Sequence, residues 1–423
     1  MTYTKKTKVW SYLAYLALAF TIYQSAYPAL TGGGLDFSVY RVGAMTLTGA
    51  EGLTKELYQV TNEHPLPFTY PPFAALLFLP FALLPTWAGI GLVLILSYAV
   101  AWWVCQLIVD YARQRGYQLP FYAYLGRRGT TALLTALTLT SGPWERGLDL
   151  VQINALIMLL VMLDFLRPAT RVPRGILIGI AGGIKLTPLA FGLILLMRKD
   201  IKGVITLGAS FATTVLLGFL LLPREAQDFW FSALSDPSRV GGIDYADNIS
   251  VLGWLMHLGI PEDGLLQALR YSLILLLMAG VAYLLPLLHR QGMVLSEISL
   301  NAFLMMAMSP ISWSHHNTWL PLLLAVIIID GLGVFFIKGS LSYWVTAGLT
   351  LLGGLGLYLS PLWIAAQIKG SKDGLEVVPF PGLILASLPI ICLYLVVMLW
   401  AYQGIRRRAE ILALAAPAPE KSK

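Results

Sequence analysis

Charge is what this chain lacks. Of its 423 residues only 12% are Asp, Glu, Lys or Arg, whereas 57% are hydrophobic, and the mean hydropathy is +0.72. A soluble domain carries roughly twice that charged share. No long stretch is polar enough to fold in water, which excludes a large soluble enzyme. Cysteine is scarce too. Cys105 and Cys392 both lie inside apolar runs, so neither a disulfide nor a cysteine metal site is expected. The 29 basic residues exceed the 22 acidic ones, but they stand singly or in pairs at the ends of apolar runs. Membrane topology explains that placement, and a nucleic-acid partner is excluded. Internal repeats are missing as well. The regions around "GLDFSVY" and "SHH" have no counterpart in another half, as a transporter with two similar halves would require.

What is present is a series of apolar stretches near 20 residues long, each closed by Lys or Arg, the signature of an all-α polytopic membrane protein. Helices are expected at 9–30, 87–110, 129–143, 150–166, 203–222, 267–288, 295–309, 318–337, 341–360 and 380–403. The basic start "MTYTKKTK" precedes a long apolar run with no small-residue cleavage site, so this run reads as a retained first helix. Two segments resist a simple span. "YPPFAALLFLPFALLP", 70–85, is rich in proline and too short to cross ~30 Å of hydrocarbon, so an interfacial or half-inserted helix is expected. "GILIGIAGGIKLTPLAFGLILLM", 175–197, has basic clusters at both ends and reads as two short helices meeting at "GGIKLTP", with a single straight span as the rival reading.

Threading the chain with its N-terminus inside leaves most of the 29 basic residues on the cytoplasmic side, among them Arg113, Arg115, Arg127, Arg128, Arg198 and Lys199. That asymmetry favours twelve passes, counting the broken pair as two, with both termini cytoplasmic in a plasma-membrane protein. One integral membrane domain, 1–423, is expected, with outer segments at 31–86, 223–266 and 361–379 and a cytoplasmic tail at 404–423. The chain spends its loops outside, so chemistry is expected there.

Four clusters carry that expectation. Asp36 follows three glycines that permit a sharp turn or a close approach, and precedes the amphipathic "FSVYRVGAM" with Tyr40. "TSGPWERGLDLVQINAL", 140–156, offers Glu145, Arg146 and Asp149, then Gln152 and Asn154 dipping towards the bilayer. Lys185 lies where Gly182, Gly183 and Pro188 break the backbone, a combination suited to an anion. "MSPISWSHHNTWLPL", 308–322, packs hydroxyls, Trp313, His315, His316 and Asn317 between two apolar helices. Adjacent histidines point apart on a helix and no acidic neighbour follows, so these imidazoles suit a phosphate or sugar better than zinc. A fifth loop, "DYADNISVLGWL", carries Asp247, Asn248 and Ser250. One carboxylate, one lysine, two histidines and several amides on one face fit a substrate with an anionic head and a greasy tail.

The layout resembles the GT-C glycosyltransferases. The run "DFSVYR…FTYPPFAALLFLPFALLP…VQINALIMLL…GIKLTPLAFGLILL…NISVLGWL…SPISWSHHNTWLPL", about 35–325, is similar to glycosyltransferase family 87. The resemblance implies a GT-C fold with outer interfacial helices. It also implies a polyprenyl-phosphate-sugar donor and a glycolipid acceptor such as a phosphatidylinositol mannoside. Asp36 would be the general base. Lys185, His315 and His316 would hold or neutralise the donor phosphate. Tyr70 and the prolines after it would shape the lipid's path, and Gln152 and Asn154 would contact sugar. Tyr40, Glu145, Arg146, Asn248 and Trp313 complete the expected substrate contacts. One departure is visible: a glycine is expected before "QIN", and Val151 stands there.

The chemistry implied is a single displacement. A sugar hydroxyl is a poor nucleophile, and a carboxylate with a reference pKa near ~4 is ionised and takes its proton during attack. Polar or positive groups at the leaving phosphate act where charge grows. No glycosyl-enzyme forms, so no second carboxylate is needed, and the β-linked donor yields an α-linked product. No second acid near Asp36 would clearly hold a metal, so a metal-independent enzyme without cofactor is expected. Two rivals stay open: an arabinofuranosyltransferase with a related lipid donor, and a transporter or flippase for lipid-linked sugars.

Overall fold

The apolar runs fold as helices, because in lipid every backbone N–H and C=O needs a partner within the chain. The computed structural model describes residues 5–49, 56–168, 172–375, 378 and 382–414. Among these the one extended pairing is a single bridge between Thr61 and Pro67. The chain begins with α1 (Lys5–Thr31), α2 (Leu35–Leu47), α3 (Pro72–Leu77) and α4 (Leu79–Leu83). It continues with α5 (Thr86–Gln114), α6 (Tyr122–Leu139), α7 (Gly142–Asp149), α8 (Asn154–Leu166) and α9 (Ile176–Ile184). Among the described residues four helices are long and apolar enough to cross a membrane: α5, Ile201–Leu221, Gly264–Arg290 and Gly382–Arg406. Two bent pairs raise the number to six if each counts as one span: α7 with α8, at 118°, and Leu341–Leu359 with Pro361–Lys369, at 73°. The protein is a helical, polytopic membrane protein.

The departures from the expected helices have local causes. The segment expected to be helical from 150 starts only at Asn154, because Val151 adopts a left-handed backbone with φ 55°. The 70–85 segment is two short helices parted at Phe78, where Pro80 has no N–H to continue the ladder. Near 318–337 an α-helix, Leu320–Val326, widens into a π-helix, Ile327–Phe335. The 175–197 segment breaks as expected: α9 ends at Ile184, Lys185 is extended, and a 3₁₀ turn at Thr187–Phe191 leads into Gly192–Met197. Pro188 cannot donate to the carbonyl one turn back, which disfavours a continuous helix there.

The helices group into two units interleaved along the chain. The first takes Met1–Leu189, Lys202–Tyr245 and Trp313–Thr318; the second takes Ala190–Ile201, Ala246–Ser312 and Trp319–Lys423. In the first, α1 lies along α6, with the Ser11 hydroxyl donating to the Leu125 carbonyl at 2.7 Å. Arg127 of α6 grips Asp110 of α5 with two bonds of 2.6 and 2.5 Å. Asp164 of α8 accepts the Gly175 and Ile178 amides at 2.9 and 3.1 Å, which caps the start of α9. In the second unit Leu341–Leu359 packs along Gly382–Arg406, its Gly353 and Gly356 against Leu393 and Pro389.

Candidate active site

The site is built where α2 begins. The four leading N–H groups of a helix have no partner within it. Here the carbonyls of the α7–α8 turn take up part of that need. Gly34 donates to the Asp149 carbonyl at 2.7 Å, and Asp36 and Phe37 both donate to Leu150 at 3.2 and 3.3 Å. Gly34 makes the bend with φ 85°, and Gly33 lies so close to Ala29 and Asp149 that a Cβ would come within 2.8 Å of each. The glycines therefore bring two chain segments together rather than admit a ligand. A second clamp comes from Asn62, which donates to Ser38 at 2.8 Å and to the Leu35 carbonyl at 3.3 Å.

This clamp sets Gln152 against Asp36. The Gln152 amide donates to Asp36 Oδ2, and its Oε1 accepts the Tyr40 hydroxyl at 2.9 Å. Tyr40, itself fully buried, meets the Tyr70 hydroxyl at 3.2 Å. Asp36 Oδ1 makes no protein hydrogen bond among the described residues. Burial raises the Asp36 carboxyl to about 6, while the Lys185 and Arg146 charges pull it back down.

Two residues beyond Gln152, Asn154 does a parallel task. Its Oδ1 accepts the Lys185 ammonium at 3.1 Å, and its Nδ2 donates to the His315 carbonyl at 3.1 Å. Among the described residues no carboxylate lies within ion-pair distance of Lys185. The 3₁₀ turn Ser314–His316 packs on α7, and Trp144 of α7 donates its indole N–H to the Thr318 carbonyl at 3.0 Å. Burial, then Lys185 and Arg146, hold the His315 imidazole well below its usual value. Burial, Lys185 and His315 do the same to His316. Both rings are therefore neutral at pH 7, and the positive charge of the site belongs to Lys185 and Arg146. Arg146 is paired with Asp149 at 2.6 Å and half exposed. Glu145 is exposed. Trp313 is half-buried and sits edge-on to Tyr245, with ring centroids 5.8 Å apart.

Beside these groups runs a narrow apolar cleft lined by Pro71, Pro72, Phe73, Gly183, Phe211, Thr214, Val215, Gly218 and Trp230. Two of its lining residues stand close in the chain to site residues: Pro71 follows Tyr70, and Gly183 lies two positions before Lys185.

Residues 68–310 match the profile of glycosyltransferase family 87. A polyprenol-phosphate-mannose-dependent α-(1-2)-phosphatidylinositol mannoside mannosyltransferase of Mycobacterium tuberculosis is 32% identical over 332 residues, 77% of each chain. The chain belongs to glycosyltransferase family 87. A second relative in the comparison, a polyprenol-phosphate-mannose-dependent α-(1-2)-phosphatidylinositol pentamannoside mannosyltransferase of Mycolicibacterium smegmatis, is 30% identical over 330 residues, 75% of each chain. No solved structure matches the chain. The family 87 match contains Tyr70, Gln152, Asn154 and Lys185 but stops short of Asp36 and of the two histidines. The hydrogen bonds of Gln152 and Asn154 are among those that tie these outlying segments to the family segment.

Asp36, Tyr40, Tyr70, Arg146, Gln152, Asn154, Lys185, His315 and His316 thus come together in the first unit. Asn248 does not share in this. It belongs to the second unit, is fully buried, and accepts the Ser250 and Ser312 amides while donating to the Pro310 carbonyl. These bonds let its amide hold two loops together. Gln152 and Asn154 bond to other site residues, and those bonds position Asp36, Tyr40, Lys185 and the His315 backbone. Asn62, Tyr58 and Arg239 were invisible as site supports in the sequence. Tyr58 donates to the Tyr70 carbonyl at 2.9 Å, and Arg239 donates to that of Tyr58 at 2.6 Å. No pattern near them points to Tyr70.

Proposed function

We propose that the chain is an inverting membrane mannosyltransferase. It moves mannose from polyprenyl-phosphate-mannose to a phosphatidylinositol mannoside or related lipoglycan and forms an α-1,2 linkage. The observation that carries this reading is the pair of amides two residues apart, Gln152 on Asp36 and Asn154 on Lys185. They hold a base and a cation in one site of a family 87 chain whose relatives bear the names of mannosyltransferases with this donor.

Asp36 is the general base. The acceptor hydroxyl oxygen attacks the anomeric carbon, its proton passes to Asp36 Oδ1, and the bond from that carbon to the phosphate oxygen breaks with its electrons on the phosphate. A carboxyl raised to about 6 is still mostly ionised at pH 7, and is a better proton acceptor than an ordinary aspartate. Gln152 fixes Oδ2 and leaves Oδ1 to the substrate. Lys185, assisted by Arg146, meets the charge that grows on the leaving phosphate. His316, being neutral, contributes an N–H rather than a charge. The cleft from Pro71 to Trp230 takes the first isoprene units of the donor.

The site opens to the extracytoplasmic side of the plasma membrane in a GT-C architecture of twelve passes with cytoplasmic termini. The support is the excess of Lys and Arg in the short loops on the opposite side. The α2–α4 segment lies along the interface, as its short helices and the one-sided burial of Phe37, Val39, Tyr40, Gly43 and Ala44 favour. In this reading the transfer proceeds without a metal, which the chelator in the test below decides.

The test is transfer of labelled mannose by the purified protein in lipid vesicles, with polyprenyl-phosphate-mannose and polyprenyl-phosphate-arabinose offered separately. The expected product is an α-linked mannosyl glycolipid, formed in the presence of a chelator. Transfer of arabinose alone, or movement of the donor across the bilayer without transfer, contradicts the reading.

A further inference from the structure

The segment that begins at the paired histidines holds buried polar atoms that no described residue satisfies. His315, Asn317 and Thr318 are 6%, 0% and 4% exposed. Both ring nitrogens of His315, both amide atoms of Asn317 and the Thr318 hydroxyl have no hydrogen-bond partner among the described residues. An unmet buried group costs about 1–3 kcal/mol, and in a membrane protein the surroundings offer no easy substitute. Five such atoms within four residues are not a packing accident. Their backbone is held firmly: the His315 carbonyl by Asn154 and the Thr318 carbonyl by Trp144. The turn is braced while its side chains wait.

The chemistry of the set discriminates between ligands. A phosphate group offers almost only acceptors, and a site for it presents donors and positive charge. Here each side chain both donates and accepts. A neutral imidazole has one nitrogen of each kind, an amide has an N–H₂ and a carbonyl, and a hydroxyl does both. Sugar hydroxyls have the same dual character. Resting on the mannosyltransferase reading, we infer that His315, Asn317 and Thr318 form the pocket for the donor's sugar ring, with Asn317 as the residue that determines which sugar is accepted. The phosphate is left to Lys185 and Arg146, which divides the donor between two neighbouring subsites.

The division is testable with two lipids that differ only by the sugar. The full chain in detergent is titrated with a short-chain polyprenyl-phosphate-mannose and with the matching polyprenyl phosphate, for wild type, Asn317→Ala, Thr318→Val and Lys185→Met, with melting temperatures alongside. Asn317→Ala and Thr318→Val are expected to weaken the mannose lipid by about tenfold or more and the bare phosphate lipid by less than about twofold. Lys185→Met is expected to weaken both. Thr318→Val keeps the side-chain shape, so it reports even if Asn317→Ala folds poorly. Equal losses for the two lipids, or no loss for either, overturn the sugar pocket and leave these atoms to buried water. A wild type that binds and transfers nothing from the mannose lipid overturns the mannosyltransferase reading itself, which is a different result.

Discussion

Asp36 and Glu297 are both carboxylates withdrawn from water, and they are held in opposite ways. Glu297, in the second unit, receives Arg198 with two bonds of 2.9 and 2.5 Å and has His289 at 3.5 Å. Its side chain is 1% exposed and its charge is matched. Asp36, in the first unit, has an amide on one oxygen, no bond from a described residue on the other, and cations that influence it from beyond ion-pair reach. Asp164 falls with Glu297: two backbone amides and Arg167 surround it. A satisfied carboxylate builds structure, and one left half satisfied in a site is available for chemistry.

The sharpest way to break this comparison is to neutralise both acids. Asp36→Asn is expected to lower mannose transfer by about 10²–10⁴-fold, the usual worth of a general base. Its melting temperature should not fall. The raised carboxyl means that the folded chain holds this proton more tightly than the unfolded chain, so stability declines as pH rises from about 4 to about 6. An asparagine escapes that decline. Glu297→Gln should do the reverse, costing on the order of 3 kcal/mol in stability by removing the carboxylate charge that Arg198 meets inside the protein. Its transfer per folded molecule should hold. Parallel thermal melts and transfer assays check both.

Smaller effects sharpen the geometry. Gly34→Ala forces a Cβ into a left-handed position, 3.3 Å from Ile90 Cδ1. It should cost about 1–2 kcal/mol and lower transfer as well, because the same bend aims Asp36. Val151→Gly should have the least effect. Relief of a left-handed valine, about 1–2 kcal/mol, offsets the loss of its buried methyl groups, so melting shifts little and transfer persists. A large drop in both would mean that the valine itself shapes the site.

Much of this was legible in the sequence. Apolar run length gave the helices, and Pro188 marked the break beside Lys185. Asp36, Lys185 and the histidines could be singled out because charged and ionisable groups are rare in such a chain. Their partners could not. Asn154 reaches Lys185 across 31 residues and His315 across 161, separations that no local pattern encodes. The histidines' neutrality depends on burial and on Lys185, so the sequence pointed to charge where the fold removes it. Asn248 looked like a binding amide because its loop is polar; only the position of Pro310 and Ser312 turns it into a brace. Val151 was visible as a missing glycine, but its strain appears only in the backbone angle.

The central claim is that Asp36 accepts the proton from a site whose burial raises it and whose lysine restrains it. The pH dependence of kcat/KM for mannose transfer, measured from pH 4.5 to 8, tests this most directly. The donor phosphodiester does not titrate in that range, so the acid limb reports on the protein. The account predicts half-maximal transfer near pH 6 in the wild type, a limb displaced to higher pH in Lys185→Met, and no such limb in the residual activity of Asp36→Asn. A flat wild-type profile, or a limb that survives unchanged in Asp36→Asn, would contradict it.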